Sequence, residues 1–209
     1  MGAIFLSASV PTREPYSSDC RPQEIQAAVN ALAQVVLGRK KLVWGGHPAI
    51  TPLLWCAAQA VGVEYTVAVE LFQSRLFQKV LPAENRHFAN VTLVDAVGED
   101  VEASLLEMRK AMFMSTDFEA AVFIGGMHGI LDEHKLFRQY WPNATCIPIA
   151  QTGGATVQLA ADLNYQVPDD LAPLDFVALL YGGLGIRPSQ KREAHVNQGG
   201  DDGTSSGVL

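Results

Sequence analysis

The sequence predicts an α/β fold: a Rossmann-like, doubly wound and mainly parallel sheet in three layers, α/β/α. Two observations carry this prediction. Short apolar runs rich in Val and Ile alternate with stretches whose apolar residues recur at helical spacing. Four of these runs end in small or glycine-rich residues, where a strand would turn toward a helix. Because parallel strands need crossover helices, the alternation is typical of a sheet covered on both faces.

The first half of the chain supplies four strands and two helices. The helix at 21–38 has apolar residues at helical spacing and ends at a glycine. The helix at 51–62 begins with Thr51 and Pro52, a capping residue followed by one that suits the first turn. The strands of this half are predicted at 3–9, 41–46, 64–72 and 90–98.

The second half continues the alternation. A helix at 100–117 carries an apolar stripe, and a helix at 130–141 stops before Pro142. The other elements are strands at 119–126 and 144–154 and helices at 155–164 and 173–183. We expect one domain over residues 1–186. The tail, residues 187–209, loses all periodicity and fills with Gly, Ser and charge, so disorder is predicted there.

Composition bounds the function. The 209 residues are 48% hydrophobic and 18% charged, as in a soluble domain with a sizeable core. A net charge of -7 argues against nucleic acid or an anionic membrane as the main partner. The 3 cysteines are far apart and lack zinc spacing, which indicates reduced thiols and a cytoplasmic location. Neither a secretory signal nor a membrane-spanning run is evident.

Small residues follow four predicted strands, in the stretches LSAS, GGHPAI, GGMHGI and TGGAT. In open α/β sheets, ligands bind outside the carboxyl ends of the strands, where main-chain amides and helix N-termini favour anions. One Gly-Gly pair alone indicates a sharp turn. Three pairs, each between a strand and a helix, favour a phosphate-bearing ligand. Neither GxGxxG nor GxxxxGK[ST] occurs, which disfavours ordinary dinucleotide and P-loop sites.

Four stretches together resemble the SLOG superfamily: LSAS, LVWGGHPAITPLLWCAA, EMRKAMFMSTDFEAAVFIGGMHGILDEH and TGGAT. The resemblance covers roughly residues 3–165. That superfamily includes the LOG nucleotide phosphoribohydrolases, DprA-like domains and the ligand-sensing domains of TRPM channels and bacterial defence systems. LOG enzymes carry a Met-x-x-Arg-Lys segment, a strand and then Pro-Gly-Gly-x-Gly-Thr-x-x-Glu. Arg109 and Glu133 match the arginine and the closing glutamate.

The resemblance implies catalytic roles for Arg109 and Glu133. The arginine would grip phosphate or ribose, and the glutamate would assist cleavage of the N-glycosidic bond. This chemistry is sensible in itself, because a carboxylate stabilises the oxocarbenium-like cation or activates water, and no metal or other cofactor is required. The competing interpretations place Arg109 on a solvated helix face and make Glu133 a favourable charge in the early turns of its helix.

The loops depart from the LOG pattern. Ile124 replaces the proline, GGMHG contains one extra residue, and Ile130 replaces the threonine. A displacement of about 1 Å at a catalytic site costs around 100-fold in rate. These departures favour the sensor branches, which resemble receptors for cyclic or linear ADP-ribose species and accompany TIR or Sir2 effectors in antiphage defence.

Sixteen residues are candidates for ligand binding, because they follow the strands or flank the glycine pairs. Small-residue packing, loop turns and surface decoration are the alternatives for them. The connection at 71–89 is either a lid over the ligand or an ordinary amphipathic helix. The candidates are Ser7, Ala8, Ser9, Gly45, Gly46, His47, Glu70, Gly125, Gly126, Met127, His128, Gly129, Thr152, Gly153, Gly154 and Thr156.

Three functions are compatible with this pattern. The leading hypothesis is a cytoplasmic sensor that binds a nucleotide-derived ligand of the NAD/ADP-ribose or nucleoside phosphate type. The second is an active nucleotide N-glycosidase using Arg109 and Glu133. The third is a scaffold or dimerisation module. The resemblance also implies a homodimer or higher oligomer and a TIR or Sir2-type effector as partners.

Overall fold

The computed structural model describes residues 2–61, 68–80, 83–88 and 90–193. Six strands form one sheet in the order β4-β3-β2-β1-β5-β6, and every neighbouring pair is parallel. The predicted Rossmann-like α/β class is therefore confirmed. The strands are β1 Ala3–Ser9, β2 Lys41–Trp44, β3 Val69–Ser74, β4 Asn90–Val94, β5 Phe118–Gly125 and β6 Thr145–Ile149.

Six α-helices are described, and all overlap the predicted ones. Three short 3-10 helices accompany them, at Arg75–Val80, Ala83–His87 and Ala150–Thr152. None of the described helices is long and apolar enough to cross a membrane. The α-helices are α1 Pro22–Val36, α2 Thr51–Val61, α3 Val101–Phe113, α4 His128–Tyr140, α5 Ala155–Asp162 and α6 Phe176–Gly183.

The sheet lies between two apolar layers. Side chains of β1 alternate between them: Ile4 and Leu6 join the layer formed with α1, α2 and α6, whereas Phe5 joins the layer formed with α3, α4 and α5. Phe5 meets Phe113 edge-on at 4.9 Å between ring centroids and stacks on Phe137 at 5.5 Å. These contacts fix α3 and α4 against the sheet, and both helices contribute to the site described below.

The third strand lies later in the chain than predicted. The sequence predicts it at 64–72, of which residues 64–67 lie outside the described residues, and the structure has Val69–Ser74. Glu70 pairs with Asn90 and stands near the start of the strand, whereas Gln73 and Ser74 form its carboxyl end. The apolar run alone did not fix this end, because strand boundaries depend on register with neighbouring strands.

The connection predicted at 71–89 is not one amphipathic helix in its described part. It contains the end of β3 and two separate 3-10 helices. His87, from the second of these helices, stacks on Trp55 of α2 with ring centroids 4.3 Å apart. This contact holds the connection against α2.

Residues 187–193 lie against the end of α1. Arg39 Nε donates to the Gln190 oxygen at 2.8 Å, and Arg192 donates to the carbonyl oxygens of Gln34 and Leu37. The last carbonyls of a helix lack partners within it, so these guanidinium groups satisfy them. These contacts differ from the disorder predicted from residue 187 onward. The rest of the predicted tail, 194–209, lies outside the described residues.

Candidate functional site

The site lies at the carboxyl edge of the sheet, beside the point where the strand order reverses. β1 is flanked by β2 and β5. After β2 the chain continues into α2 on one face of the sheet, and after β5 it continues into α4 on the opposite face. In the register of β1 with β5, Ser7 pairs with Phe123 and Ser9 with Gly125. Such a reversal opens a crevice at the carboxyl ends of the strands, where α/β proteins bind ligands.

Three side chains from three different elements meet in this crevice. Glu133 of α4 accepts from Arg109 of α3, whose Nε and Nη2 each lie 3.0 Å from Glu133 Oε1. Ser7 of β1 donates to Glu133 Oε2 at 2.5 Å. The side chains of Arg109 and Glu133 are only 15% and 20% exposed. Arg109 therefore does not lie on a solvated helix face, and the two residues predicted to act together are in contact.

Two local features position Arg109. Asp100 caps α3, because its carboxylate accepts from the Ala103 amide at 3.0 Å. The guanidinium end of the Arg109 side chain lies next to α4, because a Cβ added to Gly129 would be 3.4 Å from Arg109 Nη2. The guanidinium therefore sits close to the first turn of α4, where main-chain amides lack partners within the helix.

A cavity of about 320 Å³ opens beside this cluster. Its size is at the lower end of the range for small-molecule sites, and its mixed apolar and polar walls are typical of them. The loop after β2 and the segment after β3 form one side, and α3 and α4 form the other. The walls include Gly45, Gly46, His47, Gln73, Ser74, Phe77, Asn85, Leu105, Met108 and Glu133.

His47 lines the cavity as a neutral donor. Burial lowers the pKa of its imidazole. Nδ1 accepts from the Ala49 amide at 3.2 Å, so the proton of the neutral ring is on Nε2. This tautomer leaves an N–H group that is suited to a ligand oxygen.

The two glycine pairs after β5 and β6 pack against each other. A Cβ added to Gly154 would lie 2.5 Å from the Gly126 oxygen, and the Ala155 amide donates to that same oxygen at 2.8 Å. The Gly126 amide donates to the Ser9 oxygen at 2.9 Å, and the Gly153 amide donates to the Ala150 oxygen at 3.0 Å. These amides, predicted to face a phosphate, are engaged inside the fold. Gly46 lies apart from them, on the β2 side of β1, where it borders the cavity.

Thr152 and Thr156 are fully buried and do not face the cavity. Thr152 Oγ1 accepts from the Gly125 amide at 2.8 Å and donates to the Ile149 oxygen at 2.6 Å. Thr156 Oγ1 donates to the Gly153 oxygen at 2.6 Å. The hydroxyls predicted to bind phosphate instead join β5 to the turn after β6.

Two further candidates lie away from the cavity. Glu70 forms an ion pair with Lys41 at 2.7 Å near the amino ends of their strands, opposite the carboxyl edge. His128 is 74% exposed, and its Nε2 lies 3.5 Å from Asp132 Oδ1. Their predicted contacts with a ligand do not fit these positions. Met127 is the residue before α4, and Ala8 and Ser9 are partly buried at the end of β1.

A family model described as the SLOG cluster3 family matches residues 15–184. The chain belongs to the SLOG cluster3 family. This membership confirms the resemblance inferred from the motifs and indicates a nucleotide-related function.

The X-ray structure of TM1055, a structural genomics target, is similar to this SLOG domain with a TM-score of 0.51 and 15% sequence identity. The similarity covers 77% of this chain and 81% of that chain, and it shows a shared fold. None of the curated proteins matches the SLOG domain.

Several residues of the SLOG cavity were missed by the sequence analysis. Gln73 and Ser74 belong to the end of β3, which was placed too early, and the polar pair after the apolar run was the available signal. Gln73 Nε2 donates to the oxygens of Gly45 and Phe72 and so holds the loop after β2. Asn85 stands in the connection at 71–89, where no motif or glycine pair marks it.

Two partly buried histidines of this SLOG domain, His47 and His134, predict an acid-sensitive stability. Burial lowers the pKa of both His47 and His134. Each therefore binds more protons when unfolded, so its contribution is complete above the unfolded pKa, about 6.5, and is lost as pH falls through the folded pKa. The variant His47→Asn keeps an acceptor near the Nδ1 position. We expect its melting temperature to fall less than that of the wild type as the pH is lowered from about 7 to 5.

Melting curves over that pH series, with His134→Gln as the parallel variant, measure the effect. Identical pH profiles for the wild type and both variants would contradict this prediction.

Proposed function

We propose that this SLOG cluster3 domain binds a nucleotide-derived ligand, of the NAD/ADP-ribose or nucleoside phosphate type, and acts as a ligand-sensing domain. The observation that carries the proposal is the cavity of about 320 Å³ beside the Ser7, Arg109 and Glu133 cluster. Family membership supports the ligand class. The mixed walls suit a molecule with an apolar ring face and a polar sugar.

The charges favour one orientation of the ligand. Glu133 is the only formally charged residue among the described cavity walls, and carboxylates accept hydrogen bonds from sugar hydroxyls. Anionic phosphate is favoured beside Arg109 and the first turn of α4, where the guanidinium lies close to the positive end of the helix dipole. The sugar and ring would then occupy the cavity, and the phosphate would lie toward α4.

N-glycosidic hydrolysis is the second candidate, and the contact between Arg109 and Glu133 favours it. In this reaction water adds to the anomeric carbon, the bond to the base breaks, and the base leaves with a proton. Glu133 would stabilise the cationic sugar. Both Glu133 oxygens are already engaged by Arg109 and Ser7, so taking a proton from the attacking water requires one contact to open, whereas a sugar hydroxyl can donate to a remaining lone pair. That requirement makes binding the better supported function.

The biological setting remains part of the proposal. A cytoplasmic sensor in antiphage defence, a homodimer or higher oligomer, and a TIR or Sir2-type effector all follow from the motif resemblance. A scaffold or dimerisation module is the remaining alternative. These assignments depend first on whether a nucleotide binds.

A thermal-shift assay with product analysis tests the proposal. The full chain is incubated with nucleoside monophosphates, ADP-ribose and cyclic ADP-ribose. A ligand present at about 100 times its Kd stabilises by about 2.7 kcal/mol. For a chain of this size that raises the melting temperature by roughly 5–10 °C. We expect such a rise with at least one of these ligands and no release of free base on chromatography.

The other outcomes separate the alternatives. Free base together with ribose phosphate would establish the N-glycosidase. Neither products nor a thermal shift with any of these ligands would refute nucleotide binding and leave the scaffold.

A further inference from the structure

One cavity residue has a buried side chain that pairs with nothing in the described part of the chain. Asn85 is 8% exposed, and neither Nδ2 nor Oδ1 has a hydrogen-bond partner there. A buried carboxamide that lacks partners loses its hydrogen bonds to water without replacement, which destabilises the fold. Most buried polar groups in proteins are paired, so the exception at Asn85 requires a reason.

The position of Asn85 supplies that reason. It lies in the 3-10 helix Ala83–His87 and lines the same cavity as Glu133 and Gly46. The stack of His87 on Trp55 anchors its helix to α2. The unpaired carboxamide therefore belongs to a wall of a ligand-sized space and is held there by a neighbouring contact.

We infer that Asn85 determines specificity by pairing with the heterocyclic base of the bound nucleotide. The inference rests on the proposed nucleotide binding and deepens it. A carboxamide offers one donor and one acceptor side by side, and adenine presents the complementary pair of an amino donor and a ring acceptor. Phe77, Leu105 and Met108 supply the apolar surface that suits a flat ring.

Reaching Asn85 requires a local adjustment. Both carboxamide atoms are shielded from solvent, so a ligand meets them when the side chain rotates or its short helix shifts. A 3-10 helix of 5 residues has few hydrogen bonds to lose in such a movement. Pairing with the base would then supply the hydrogen bonds that the carboxamide lacks within the described part of the chain.

Calorimetry on the full chain with two kinds of probe tests the inference. Nucleoside monophosphates, AMP among them, carry base, ribose and phosphate, whereas ribose 5-phosphate lacks the base. We expect Asn85→Leu to weaken AMP binding by about 5- to 150-fold, the range for loss of a two-bond base contact. Binding of ribose 5-phosphate should not change. The ligand-free variant should melt at a higher temperature, because the unpaired polar atoms are gone.

A second variant and a control keep the test decisive. Asn85→Asp retains the shape of the side chain but offers only acceptors. It should therefore weaken the binding of AMP more than the binding of GMP, whose base presents two adjacent donors. Asn30→Leu, the same kind of change at an exposed position of α1, should leave both affinities unchanged. Two results would overturn this inference and leave the proposed function standing. One is AMP binding at wild-type strength in both Asn85 variants, and the other is an equal loss of affinity for AMP and for ribose 5-phosphate. Failure of the wild type to bind any monophosphate would overturn this inference, and failure to bind ADP-ribose and cyclic ADP-ribose as well would refute the proposed function.

Discussion

Arg109→Ala is expected to lower the free energy of unfolding by roughly 3 kcal/mol, the low end for breaking a buried ion pair. It should also abolish the thermal shift produced by nucleotides. The reason is that the Glu133 side chain is only 20% exposed and its carboxylate loses its cationic partner. The ligand phosphate would lose its guanidinium at the same time. Urea unfolding monitored by circular dichroism gives the stability, and the thermal-shift assay gives the binding.

Two comparison variants separate charge from bulk. Lys110→Ala changes the neighbouring cation, which pairs with Glu107 on the surface, and should leave both measurements unchanged. The double variant Arg109→Leu with Glu133→Gln removes both charges together and should recover most of the lost stability, while binding stays absent. If Arg109→Ala proved as stable as the wild type, or still responded fully to nucleotide, the assigned role of the pair would be wrong.

Gly153→Ala is expected to destabilise the fold by roughly 3–5 kcal/mol, from backbone strain together with overpacking. Gly153 has φ +73°, and a Cβ there would lie 1.7 Å from the main-chain oxygen of Asp19. A main-chain atom cannot move aside as the end of a side chain can. The turn after β6 would have to separate from the polar loop before α1. The midpoint of urea unfolding and the yield of folded protein measure the loss.

Gly185→Ala is the matched control. Gly185 has a similar φ, +61°, but no atom lies within 4 Å of the added Cβ. Only the left-handed backbone is penalised there, so the expected loss is about 1–2 kcal/mol. Equal losses at the two positions would show that backbone conformation alone explains the glycines. Only a larger loss at Gly153 is consistent with close packing of this turn.

Close packing between loops also explains why the glycine pairs after β5 and β6 are present. From the sequence alone, a bound phosphate explains the pairs after β5 and β6, because small residues at strand ends allow close approach of a ligand. In the structure the close approach is that of one protein loop to another. The spacing of glycines in the sequence does not show whether a ligand or another loop of the protein packs closely against them. Gly46 borders the cavity, and there too an added Cβ would meet the protein itself, at Gln73 and Leu71.

The contact of Arg109 with Glu133 followed from a different kind of signal. Both residues match one motif on either side of a strand, and the structure brings Arg109 Nη2 to 3.0 Å from Glu133 Oε1. Two consecutive crossover helices on the same face of a parallel sheet lie side by side, so residues near their facing sides meet. Ser7 joins them because β1 is next to β5 in the sheet.

By itself, the sequence determined the fold class, the elements that alternate along it, and the residues that stand at the ends of most strands. These properties depend on local periodicity, which a single chain displays directly. Only the tertiary structure decided that Glu70 lies opposite the site, that Thr152 and Thr156 are buried, and that Gln73 and Asn85 line the cavity. The physical reason is that strand register and the packing of loops depend on contacts between residues far apart in the chain.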